Sequence, residues 1–151
     1  CALGNGQVAL ISTLLILTTH LIWIGDWKKE RQVLAVSLLL GASIDSFLGN
    51  LNILNFHNES RLLPTNLACQ WVLFGTILRH SLDWARTHRW AGAAFGLSYG
   101  PLSYFINAQL GNMSLADPTW KTLLTIAITW VLMIPLLQSF SQMLLIKQQR
   151  E

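Results

Sequence analysis

The sequence predicts an all-α polytopic transmembrane helical bundle with five spans, on three observations. Of its 151 residues, 52% are hydrophobic and only 11% charged, where an ordinary soluble domain carries about a quarter. The apolar residues gather into five long runs separated by short connections. Most of the ten Lys and Arg lie in alternate connections, the pattern of topology signals. This composition excludes a disordered tail and argues against a soluble enzyme domain. No run alternates polar and apolar residues strictly, which argues against a transmembrane β-barrel.

The chain reads as one transmembrane domain, residues 1–151, with spans at about 8–24, 32–48, 64–84, 90–107 and 119–146. A spanning helix needs about 20 mainly apolar residues, with roughly 17 to 25 tolerated, and the first four runs fit. The fifth has 28 residues, about 42 Å at ~1.5 Å each. It must tilt, kink at Pro135, or leave one end in the interface.

Orientation follows from the cations. Lys28, Lys29, Arg31, Arg86, Arg89, Lys147 and Arg150 fall on one side, Arg61 and Lys121 on the other, and Arg79 within a span. The odd-numbered spans therefore end inside and the C-terminus is cytoplasmic. Trp23, Trp27, Trp84 and Trp90 mark the inner boundary and Trp120 the outer one, as an aromatic belt would. Residue 1 then starts outside with no secretory signal, so a preceding helix is expected, giving six spans in the complete protein. A lipoprotein also begins at Cys, but its tether is usually polar, and here a span follows at once. Asn58-Glu59-Ser60 and Asn112-Met113-Ser114 match glycosylation acceptors on outer loops, a match without meaning in a bacterial protein.

The pI near 9.2 and net charge of +3 do not imply nucleic acid, because the basic residues form no patch on one face. Cys1 and Cys69 make neither a metal spacing nor a disulfide framework.

Polar residues within the runs are the candidate sites. On the second span Ser37, Gly41, Asp45 and Gly49 recur every four residues, so Asp45 points into a close helix contact and away from lipid. An intramembrane carboxylate is a functional candidate by default. Its carboxylate should be protonated, paired, or hydrogen-bonded to the nearby Ser46 or Asn50, and a structural hydrogen-bond hub is the competing reading. On the fourth span Gly92, Gly96 and Gly100 recur every four residues, with Pro101 next. That pattern reads either as a tightly packed central helix with a Pro kink or as a hinge or unwound site lined by Ser98, Tyr99, Ser103 and Tyr104. On the third, Thr76, His80 and Asp83 share a face, and Arg79 and Asp83 are spaced to pair. His20 lies near the same boundary, so a His20–His80–Asp83 cluster would relay protons or act as a general base on a lipid headgroup. Asp45 lies about 14 Å deeper than His80 at ~1.5 Å per residue, which makes them separate sites. No metal-ligand spacing, phosphate loop or nucleophile elbow is present, and no cofactor is implied.

GASIDSFLGNLNILNF at 41–56, FGTILRHSLDW at 74–84 and YGPLSYFINAQLG at 99–111, with the opening CALG, resemble a small bacterial inner-membrane family, domain of unknown function 2878. The resemblance runs from Cys1 to about Leu137. It implies a multi-pass protein of the bacterial inner membrane with a membrane segment before residue 1. It carries over Asp45, Ser46, His80, Ser81, Gly100, Pro101 and Tyr104. Asn52 stands where the family commonly has Gly, Arg79 where it has Asn, and Ile106-Asn107 where it has a small pair. The family supplies no reaction, and its association with lipid-modifying enzymes points toward lipid chemistry.

The leading functional expectation is a non-catalytic partner or scaffold for membrane-associated lipid-modifying enzymes, with membrane lipid as its other contact. The alternative is a small transporter or intramembrane enzyme for a lipid-like or small hydrophobic molecule. There His80, Asp83, His20 and Asp45 would carry the chemistry, and Tyr99, Tyr104 and Ser46 would touch substrate. Gly41, Gly49, Gly92, Gly96, Gly100 and Pro101 are assigned to helix packing. No complete catalytic constellation can be written, which leans against an enzyme.

Overall fold

The computed structural model describes residues 2–24, 27–56, 63–80, 89–111 and 113–148. Five helices make up most of them: α1 (Ala2–Trp23), α2 (Trp27–Asn50), α3 (Thr65–His80), α4 (Arg89–Gln109) and α5 (Thr119–Gln148). Three are long and apolar enough to cross a membrane, over Gly6–Trp23, Glu30–Asn50 and Thr119–Met143. The apolar part of α3, Thr65–Leu78, is shorter. The 21-residue α4 has the length of a span, but its Gly, Ser and Asn dilute its hydropathy.

The helices form a bundle in which α4 packs chiefly on α5, α2 on α3, and α1 on α3, while α2 and α3 also reach α5. The outermost helix is α1: Val8, Ile11, Leu15 and Ile22 all stand exposed along it. An apolar surface of that extent suits a hydrocarbon solvent. Trp23, Trp27, Trp90 and Trp120 are likewise exposed, where a belt tryptophan has its ring at the headgroup level. Trp84 lies outside the described residues.

Pro135 and Pro101 both sit inside continuous helices. Thus α4 is not unwound at Pro101, which corrects the unwound form of the site expected there. At 30 residues, α5 measures about 45 Å at ~1.5 Å per residue, so it exceeds a hydrocarbon core of about 30 Å.

Two short strands were not anticipated. β1 (Leu54–Phe56) pairs antiparallel with β2 (Met113–Leu115), in the register Leu54↔Leu115, Asn55↔Ser114, Phe56↔Met113. The ribbon ties the α2–α3 connection to the α4–α5 connection, so both lie at one end of the bundle. Leu54 and Met113 turn inward and are fully buried, plugging that end. A three-residue strand is too short to leave a period-two signal in sequence.

The chain enters the ribbon through a glycine-type helix terminus at Asn52. Its φ is 56°, its N–H donates to the Gly49 carbonyl, and the Ile53 N–H donates to that of Leu48. This is the Schellman arrangement, whose left-handed position takes Gly most often and Asn next. The physical requirement accounts for Asn standing where the related pattern has Gly.

Candidate functional site

Asp45 is completely buried in the bundle. Its Oδ2 accepts from Trp71 Nε1 at 2.7 Å, and its Oδ1 accepts from the Tyr104 hydroxyl. One carboxylate thus joins α2, α3 and α4. It lies five residues before the end of α2, about 7.5 Å below the ribbon end at ~1.5 Å per residue. Among the described residues no Lys or Arg pairs with it, so two neutral donors offset its desolvation.

These partners correct the expected ones, Ser46 and Asn50. A helix turns about 100° per residue, so Ser46 leaves the face that Asp45 occupies and Asn50 lies more than a turn further along. Ser46 instead lines a polar cleft with Asn50, Asn52 and Asn55 beneath the ribbon, and Asn50 is exposed.

Trp71 occupies a slot built by one face of α2. Ser37 Oγ donates to the Trp71 carbonyl at 3.0 Å, and Asp45 takes the indole N–H. Between them Gly41 leaves room for the ring: a Cβ there would stand 2.0 Å from Trp71 Cδ2. On its far face the indole stacks on Trp130 of α5, with centroids 4.9 Å apart and 13° between planes. Trp130 in turn lies over Gly100 of α4, whose Cβ would come within 2.5 Å of it. Gly96 meets the backbone of Trp130 and the Ile134 side chain, and Gly92 is buried. Gly49 faces Phe56 of β1. Two stacked indoles are therefore clamped between glycines of α2 and α4. Phe74 and Tyr99 pack edge-on against Trp130, at 4.9 and 5.2 Å.

Tyr104 is also fully buried and meets Trp130 edge-on. Tyr104→Phe removes one of two donors to Asp45, together with the hydroxyl's interactions with the Trp130 and Trp71 indoles. We expect a loss of about 1–2 kcal/mol, read as a lower thermal midpoint in detergent. An unchanged midpoint would mean that this bond adds no stability.

At the opposite end, His20 Nε2 lies 3.1 Å from Glu30 Oε2. The pair joins the last turn of α1 to the first turn of α2, and Glu30 is buried. In the proposed His20–His80–Asp83 cluster, the His80 side chain and Asp83 lie outside the described residues, as does the side chain of Arg79. The partner seen for His20 is an acid that residue spacing did not bring forward. Seven residues, two turns, separate Glu30 from Ser37, so the Ser37–Gly41–Asp45 face extended backward would have reached it.

A second polar group lines a cavity of about 440 Å³ between α1, α3 and α4. Asn66 Nδ2 donates to Asn107 Oδ1, and Asn107 Nδ2 donates to Gln70 Oε1, both at 2.9 Å. Tyr99 and Ser103 also face this space. Among the described residues, no group of three His, Cys, Asp or Glu is arranged to hold a metal ion.

Trp71, Trp130 and Gln70 are functional-site residues that the sequence patterns do not single out, and Asn107 enters there only as a departure from the family pattern. The first two carried a usable signal. Five of the seven Trp mark helix boundaries, whereas Trp71 and Trp130 sit mid-run, where an indole N–H needs an acceptor.

The family model for the protein of unknown function DUF2878 matches residues 1–136. The chain belongs to that family. No curated protein and no solved structure matches it significantly. In this DUF2878 protein, Asp45, Tyr104, Gly100 and Pro101, which the resemblance carried over, lie on two helices joined by the Asp45–Tyr104 bond.

Proposed function

We propose that this DUF2878 protein is a non-catalytic membrane partner or scaffold for lipid-modifying enzymes of the bacterial inner membrane. The observation that carries the reading is the use made of Asp45. Both its oxygens are engaged by core side chains, and it is sealed from any surface. A general base or proton carrier must reach its substrate directly or through one water. Asp45 is built into the clamp that holds three helices together. Tyr104 is committed to the same clamp, which takes two residues from the transporter or intramembrane-enzyme alternative.

The enzyme class of the partner comes from the family association. The basic connections would face the cytoplasm, where cations meet an acidic protein surface or anionic lipid.

Native mass spectrometry of the full-length protein, gently extracted from its own membrane, tests the proposal. A second polypeptide at fixed stoichiometry is expected, still retained by His80→Ala. A protein that carries no polypeptide partner, but has an activity abolished by His80→Ala at unchanged expression, would overturn it.

A further inference from the structure

The cavity between α1, α3 and α4 runs along the bundle axis, and most of its lining is apolar. Asn66 and Asn107 stand within two residues of the ribbon-side ends of α3 and α4. Gln70 and Ser103 lie about one turn deeper. Below them Leu73, Leu102 and Tyr99, about 10–15 Å from the helix ends at ~1.5 Å per residue, share the lining with Ala9, Ser12 and Thr13 of α1. Among the described residues no charged side chain lines it.

The amide chain inside it ends on an unused donor. Asn107 Nδ2 donates to the Ser103 carbonyl at 2.9 Å, and a carbonyl only accepts. This fixes the orientation of the Asn107 amide, so its Oδ1 receives Asn66 and its Nδ2 also faces Gln70 Oε1. Gln70 must then present Nε2 elsewhere. That nitrogen is buried and has no hydrogen-bond partner among the described residues. A buried donor left without an acceptor is destabilising and rare in folded proteins. Gln70 as a residue is partly exposed to the cavity. Engaging a ligand therefore requires the amide to turn its N–H toward the cavity that Gln70 lines.

We infer that this cavity holds one membrane lipid, with an acyl ester carbonyl accepting from Gln70 Nε2 and the acyl chain lying along Leu73 and Leu102. Gln70 lies five residues into α3, about 7.5 Å below its ribbon-side end at ~1.5 Å per residue, and Leu73 and Leu102 give an acyl chain an apolar wall beneath it, which is how a glycerolipid stands in its leaflet. The absence of charge in the described lining makes the ester region the recognised part and leaves the headgroup free to vary. The inference requires that the bundle lie in a membrane and does not rest on the scaffold reading. A bound lipid in a protein with no polypeptide partner would count against that reading and leave this one standing.

The test titrates the full-length protein in detergent with four lipids, followed by native mass spectrometry. Three are dioleoyl esters: phosphatidylglycerol, phosphatidylethanolamine and diacylglycerol. The fourth is the dialkyl ether analogue of phosphatidylglycerol, which lacks the carbonyls. We expect a single adduct of each ester lipid at similar affinity, with the ether analogue about tenfold weaker. Gln70→Leu should abolish the ester–ether difference, and Leu73→Trp should block the cavity to all four. Equal retention of ester and ether by the parent chain would overturn the inference. So would an unsaturating ladder of adducts, or a strong preference for one headgroup. The ester–ether comparison uses the parent chain, so it remains decisive if a variant fails to fold.

Discussion

Asp45→Ala is expected to be the most damaging single substitution in the described core. It strands the Trp71 indole N–H and the Tyr104 hydroxyl together, both fully buried. Each buried donor left without an acceptor costs about 1–3 kcal/mol, so the pair costs about 2–6 kcal/mol. The lower end applies where the unfolded chain in a bilayer finds other partners. Against a total stability of about 5–15 kcal/mol, such a loss would sharply lower the yield of folded protein. Asp45→Asn should fall between, because its Oδ1 can still accept from Trp71 while its Nδ2 donates to the Tyr104 oxygen. Thermal unfolding in detergent, followed by tryptophan fluorescence, should rank parent, Asn variant and Ala variant in that order. An Ala variant melting with the parent would show that the carboxylate is not a clamp, and would return Asp45 to the list of candidate reacting groups.

Gly41→Ala should be nearly as severe, although it adds only a methyl group. Its Cβ would lie 2.0 Å from the Trp71 ring, where carbon atoms settle at about 3.5–4.0 Å. The indole must therefore move by well over 1 Å, which neither its bond to Asp45 nor its stack on Trp130 tolerates. Overpacking of this kind costs about 1–3 kcal/mol, and loss of the hydrogen bond adds to it. Gly6→Ala is the control, since its nearest neighbour would be Thr65 Cβ at 3.8 Å, an ordinary contact. Trp71→Leu should relieve much of the clash, so the double variant should be less damaged than the sum of the two singles. Additive effects would mean that Gly41 and Trp71 do not share the slot.

The helical membrane bundle was legible because hydrocarbon solvent imposes a coarse rule. Backbone groups must be satisfied within each segment, so apolar run length translates directly into helices. Helix faces were legible too: the four-residue spacing from Ser37 through Gly41 to Asp45 put one face inward, and these three residues are buried. The ribbon was not legible, because three-residue strands form only when two remote connections meet. Neither was the His20–Glu30 pair, since Glu30 precedes the apolar run and only the start of α2 at Trp27 puts it on a helix facing His20.

Composition, run length and residue spacing therefore determine that the chain is a helical membrane bundle and which side of α2 turns inward. Those properties depend on each segment's own backbone and on the solvent around it. Which groups meet on the inward face depends on how far each helix slides and rotates against the others. The packing of Trp71 against Gly41, and of Trp130 against Gly100, sets that register. The register brings Tyr104, 59 positions away in sequence, to a carboxylate whose neighbours along the chain never reach it. It also leaves Gln70 as the last amide of its chain, with a donor still to be satisfied.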